Sequence, residues 1–214
     1  MLKAIECFSR RSDLAPEAFL RHWREAHTNV VLKINGLRAY IQNPVIALPS
    51  LAQPADGFDG AVEVWFDSLA AMRAAAGEPY WDEVVADEER FIDRRSRRLV
   101  LAEAEPPPAD AKPAAAKLLV LVGASADPAR SQFRADVQRL AARLQDQGDG
   151  VSVVTDLPTL SSYAKPRQLL ADAVVSVRCQ SWEQAGEIVT QQLDELASLG
   201  AVTTLAVAER VVLS

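Results

Sequence analysis

Val64-Trp65-Phe66-Asp67-Ser68-Leu69 and Val177-Arg178-Cys179-Gln180-Ser181-Trp182 share one layout, 113 residues apart. In each, the end of a β-prone run meets a serine, and an apolar residue then opens a helix-period pattern. Ser181 is followed three positions later by Gln184, the spacing of a capping box. Further out, Pro16 and Pro128 both suit a first helical position, 112 residues apart. Residue identity between the halves is low, so the repeat is one of pattern. Between them lies Glu105-Pro-Pro-Pro-Ala-Asp-Ala-Lys-Pro-Ala-Ala-Ala116, whose clustered prolines read as an extended spacer.

The first half reads as strand 2–9, helix 16–31, strands 36–44 and 60–66, a helix from Leu69 broken at Gly77 and Pro79, a helical stretch 80–93, and strand 97–103. The second half reads as strand 117–123, helix 127–147, strands 151–155 and 173–179, a helix stopped by Gly200, and strand 202–213. Each order is β-α-β-β-α-β, the ferredoxin-like unit. The fold class expected is therefore α+β. Two tandem ferredoxin-like units (1–104 and 117–214) flank a linker (105–116), and their antiparallel sheets pack into an α/β barrel. Each unit has both helices on one sheet face, so the bare face needs a cover: the sister half, or a second chain.

Nearly half of the 214 residues are hydrophobic, a quarter are charged and the net charge is −6. An acidic balance argues against nucleic acid and against an anionic membrane surface as partners. The acidic run 82–89 and the arginines Arg94, Arg95, Arg97 and Arg98 read as solvated charge. Cys7 and Cys179 fall in expected strands as small buried hydrophobes, and no Cys/His cluster with metal spacing exists, so no metal site is expected. The N-terminus has no signal pattern and no apolar run approaches membrane length, which implies a cytoplasmic protein.

Both histidines of the chain lie in Phe19-Leu20-Arg21-His22-Trp23-Arg24-Glu25-Ala26-His27. On a helix, Phe19, Trp23, Ala26 and Val30 form an apolar stripe; His27 falls about 50° from its centre and His22 about 90° away on the other flank. His27 is thus the one drawn inward, either as an ordinary boundary residue or as a working group. Strand alternation leaves Arg38, Tyr40, Gln42, Glu63 and Trp65 for the sheet's bare side, with Leu37, Ala39, Ile41, Val62, Val64 and Phe66 under the helices. That mixed surface either meets solvent or lines a cavity between two sheets.

The same segments, with 36–40, 58–68 and 87–93, resemble the EthD family of dimeric α/β-barrel proteins over residues 1–103. The resemblance implies a ferredoxin-like fold whose paired sheets enclose a pocket, with His27 at the pocket and Tyr40, Asp59, Glu63 and Trp65 on motif positions. The second, histidine-free unit departs from it. The function expected is cofactor-independent proton transfer, of isomerase, dehydratase or decarboxylase type, on a small cyclic or aromatic molecule. His27 and Glu63 would be catalytic, and Arg38, Tyr40, Trp65, Tyr80, His22 and Asp59 would bind substrate. Two other readings stay open: a non-catalytic binding protein for a hydrophobic metabolite, and haem binding as in related barrels. The barrel forms either in a homodimer or by intrachain pairing.

Overall fold

A computed structural model describes residues 1–48, 51, 57–124, 131–164 and 168–213. The first unit comprises β1 (Leu2–Arg10), α1 (Pro16–His22), a π-helical turn (Trp23–His27), α2 (Thr28–Val31), β2 (Leu37–Pro44), β3 (Gly60–Phe66), α3 (Leu69–Ala76), α4 (Tyr80–Glu88) and β4 (Ile92–Glu103). The second comprises β5 (Ala116–Ala124), α5 (Ser131–Gln145), β6 (Ser152–Asp156), a 3₁₀ turn (Leu160–Ala164), β7 (Ala173–Cys179), α6 (Trp182–Leu199), β8 (Gly200–Val207) and β9 (Arg210–Leu213). The caps expected at Ser68 and Ser181 are present, accepting from Ala71 and Gln184 N–H groups at 3.1 Å. The expected start at Asp127 and Pro128 lies outside the described residues. No helix among the described residues is long and apolar enough to cross a membrane.

The first sheet has the order β4-β1-β3-β2-β9 and the second β6-β7-β5-β8. The single last strand expected at 202–213 is two strands. β8 stays in the second sheet, the chain crosses at Ala208 and Glu209, and β9 pairs with β2 of the first. On the other flank, Leu99 bridges Leu169 and Ala102 bridges Pro158. The second unit thus covers the first within one chain. Ile5, Cys7, Ala61, Val100 and Ala102 of one sheet pack on Leu119, Leu121, Val174 and Leu205 of the other. Behind the second sheet, α5 and α6 supply Val137, Leu140, Leu144 and Ile188 to a separate core. Both cysteines are buried and free.

The face assignment of β2 is corrected. Tyr40 stands opposite Val64 and Ile41 opposite Glu63, with a register shift between Leu37 and Ala39. A one-residue slip moves every side chain to the other face. Tyr40 and Gln42 therefore lie under the helices with Val62, Val64 and Phe66, while Ala39 and Ile41 face the second sheet with Glu63 and Trp65.

The helix expected over 16–31 is continuous but carries a π turn at Trp23–His27. Such a turn inserts a residue and loosens the backbone hydrogen bonding, and it is common at functional sites. Here the Trp23 carbonyl also accepts from the Gln42 side-chain amide at 2.9 Å and from the Thr28 hydroxyl at 3.2 Å. His27, at the end of the turn, is 6% exposed.

Candidate functional site

The first sheet and its helical layer enclose a cavity of about 100 Å³. Its walls are Phe8, Trp23, Val31, Ile34, Leu37, Val62, Val64, Phe66, Trp81, Val84, Phe91 and Ile92, and its polar groups are Glu6, His27, Tyr40, Glu88 and Arg97. An apolar hollow with a few converging polar groups is the usual make-up of a small-molecule site. It lies on the opposite side of the sheet from the space where a pocket was expected.

His27 Nδ1 is 2.8 Å from Asp87 Oδ2, and His22 Nε2 is 3.0 Å from Asp87 Oδ1. A carboxylate only accepts, so Nδ1 of His27 carries the proton and its Nε2 holds a lone pair. No described residue bonds that Nε2. Asp87 lies outside the cavity lining, so the imidazole stands between the carboxylate and the hollow. Burial pushes the His27 pKa below its ordinary value, outweighing the Asp87 contact that raises it. The Phe91 ring packs on both imidazoles, with centroids 4.8 Å from His27 and 5.0 Å from His22.

Glu88, one residue after Asp87, reaches the cavity. Burial pushes its carboxyl up to about 7, against the opposing charge of Arg97. Arg97 forks onto Glu6, with Nη2 2.7 Å from Oε2, and donates from Nη1 to Glu88 Oε2 at 2.8 Å. Tyr40 is 1% exposed, and burial raises its phenol to about 12, so it stays protonated. Its oxygen accepts from the Gln42 amide at 2.8 Å. Accepting there, it keeps its own proton for an acceptor in the hollow.

The remaining expected site residues stand elsewhere. Glu63 is 2% exposed but faces the second sheet, where it pairs with Lys3 at 2.8 Å and with Lys117. Asn43 donates to the same carboxylate at 2.8 Å. Trp65 lies on that side too, under the Lys3 ammonium, its indole N–H donating to the Glu105 carbonyl at 3.0 Å. Arg38 sits at the register shift of β2 and forks onto Asp67 in solvent, the shorter contact 2.6 Å. Asp59 accepts from the Arg10 backbone N–H at 2.9 Å. Tyr80 donates to the Val30 carbonyl at 2.7 Å, and its neighbour Trp81 takes the wall position instead. His22 borders a shallow outer depression and touches the site through Asp87.

Asp87, Glu88 and Arg97, read from sequence as solvated charge, are the groups that reading missed. The signal was present: Val84, Asp87, Glu88 and Phe91 follow the i, i+3, i+4, i+7 spacing of a buried stripe. A haem does not fit here, because a hollow of about 100 Å³ is too small for a tetrapyrrole. Among the described residues no group of three His, Cys, Asp or Glu could hold a metal ion.

Comparison with known proteins matches the EthD domain to residues 11–95. No curated protein matches the sequence. Among solved structures, an anthrone oxidase-like protein superposes with a TM-score of 0.62 at 13% identity, covering 99% of this chain and 93% of its own. A mutant chlorite dismutase from Candidatus Nitrospira defluvii does so with a TM-score of 0.61 at 12% identity, covering 99% and 92%. An EthD family protein from Bacillus halodurans is 21% identical over 49% of this chain and 99% of its own, with a TM-score of 0.41. The two full-length likenesses agree with the α+β, two-sheet ferredoxin-like architecture. The stretch that matches the EthD domain, residues 11–95, supplies the helices and most of the walls around the cavity.

Proposed function

We propose that the cavity under the helices of the first unit is the active site of a cofactor-independent proton-transfer enzyme acting on a small cyclic or aromatic molecule. One observation carries the reading: a single apolar hollow holds an imidazole with a carboxylate behind it and a second, buried carboxyl, Glu88, on its wall. His27 Nε2 takes a proton from a carbon beside a carbonyl. The Tyr40 hydroxyl donates to the oxygen on which charge then develops. Glu88, protonated, returns a proton to a second carbon or to a leaving oxygen, and takes the role first expected of Glu63. Asp87 keeps His27 in the needed tautomer and stabilises the imidazolium. Phe8, Trp23, Phe91 and Trp81 exclude water and favour a flat ring. The anthrone oxidase-like neighbour shares the fold alone, but its description makes phenols and cyclic ketones the first molecules to try.

Solvent-deuterium exchange tests the reading without knowledge of the net reaction. Small cyclic ketones, lactones and phenols are incubated with the protein in deuterated buffer and followed by proton NMR. The expected result is enzyme-dependent loss of one C–H signal, abolished in His27→Ala. Equal exchange with the variant removes His27 from the mechanism. Binding without exchange across the series favours a carrier of hydrophobic metabolites.

A further inference from the structure

We propose that Arg210, on the last strand of the second unit, is a positioning residue for the Tyr40 phenol in the first unit's cavity, acting through the side-chain amide of Gln42. The inference rests on the reading of Tyr40 as the group that faces the substrate oxygen.

The strand β9 pairs with β2 so that Arg210 stands directly across from Gln42. Arg210 Nη1 donates to Gln42 Oε1 at 2.7 Å. The same nitrogen reaches the Thr28 hydroxyl and the Arg24 carbonyl, both at 3.2 Å, and so ties the strand to the helical layer at the π turn. Gln42 is fully buried, and its two ends could in principle be exchanged. Its neighbours forbid that. A guanidinium only donates, so it requires Oε1 on its side. The Trp23 carbonyl, 2.9 Å from Nε2, only accepts. With Nε2 held inward, an amide N–H is presented to the Tyr40 oxygen at 2.8 Å. A phenol that accepts there keeps its own proton for the hollow. With the amide reversed, the phenol would donate to Oε1 and the cavity would lose its hydrogen-bond donor. The charges that act on Tyr40 are Arg210 from β9 and Glu88 from α4. The second unit is therefore more than a cover: it fixes which way a hydrogen bond runs in its sister's site.

The test uses the full chain labelled with ¹³Cζ-tyrosine, in which Tyr40→Phe assigns one of three tyrosine signals. The tyrosine Raman doublet separates a phenol that accepts a hydrogen bond from one that donates. Arg210→Met is expected to shift the Tyr40 ¹³Cζ signal and move its doublet toward the donor type, with the other two tyrosines unchanged. Arg210→Lys, which keeps a charged donor, restores both. Where an exchange substrate is in hand, Arg210→Met lowers its rate on the order of tenfold, less than loss of a direct donor. Should Arg210→Met not fold, Arg210→Gln against Arg210→Lys gives the same comparison. A Tyr40 signal and doublet identical in the wild type and in the folded Met or Gln variant overturn the proposal. A Tyr40 shift in a protein that exchanges no substrate leaves the positioning role standing and removes the catalytic one.

Discussion

The two faces of the first sheet both bury polar groups, and the two sets differ in what they face. On the face toward the second sheet, Lys3, Glu63, Lys117, Asp156 and Glu209 form a chain of contacts. Lys3 meets Glu63 at 2.8 Å and Asp156 at 2.6 Å, and Lys117 bridges Glu63 and Glu209, the latter at 2.8 Å. Arg178 and the Ala114 N–H complete Glu209 at 2.7 and 2.8 Å. Charges are matched against charges, and Asp156 Oδ1 and Asn43 Oδ1 are among the buried oxygens there that accept no hydrogen bond. On the helix face, His27 Nε2 and the Tyr40 hydroxyl proton have no such partner and border a hollow. Burial of a polar side chain alone therefore does not mark a site; a buried polar group with an unused valence beside a cavity does.

The comparison is broken most severely at Glu63. Removing it as Glu63→Ala leaves two lysines buried against one lost partner, and the expected loss is about 3–5 kcal/mol of stability in urea unfolding. Exchange activity per folded molecule should be unchanged. Lys117 and Lys3 hold the Glu63 carboxyl far below the ordinary carboxylate range, against the burial that opposes them. The unfolded chain takes up that proton near pH 4.5 and the folded chain does not, so stability falls as pH drops below about 4.5. Unfolding midpoints followed into acid should fall less steeply in Glu63→Gln.

On the cavity side, Asp87→Asn should lower exchange about 10²-fold or more, because an amide no longer holds Nδ1 as the protonated nitrogen. The pH profile sharpens the same point. The base must be neutral, which fails as pH falls through the lowered His27 value, and the acid must be protonated, which fails above about 7. A bell in kcat/KM follows, and Glu88→Gln should lose its alkaline limb.

Gly60→Ala sharpens the comparison through packing. An added Cβ would stand 2.7 Å from the Trp23 ring, so the wall must move, at an expected cost of about 1–3 kcal/mol in unfolding, together with altered binding in the hollow. The smallest effect is at Arg38. Its pair with Asp67 is half exposed, and Arg38→Ala should leave unfolding and exchange indistinguishable from wild type.

Much of the architecture was legible because local signals agreed. The serine caps, the glycine and proline breaks and the strand alternation all pointed to two β-α-β-β-α-β units, and β3 and β7 have the limits expected of them. The inward turn of His27 was legible as well. What escaped was register. The shift beside Arg38 sends Tyr40 and Gln42 under the helices, and no periodicity in β2 reveals which face is which. The carboxylates on α4 escaped for a different reason: a run of acids looks solvated until the stripe through Val84 and Phe91 is given more weight than their charge. The crossover of β9 escaped because a strand that changes sheets looks in sequence like one strand with a polar interruption at Glu209 and Arg210.

The most direct measurement is a crystal of the full chain soaked with a small phenol or cyclic ketone. Density is expected between Trp23, Trp81 and Phe91, with one polar atom of the ligand near the Tyr40 hydroxyl and a carbon near His27 Nε2. A ligand seated between the two sheets beside Glu63 and Trp65, with His27 Nε2 closed off by its own neighbours, would contradict that placement.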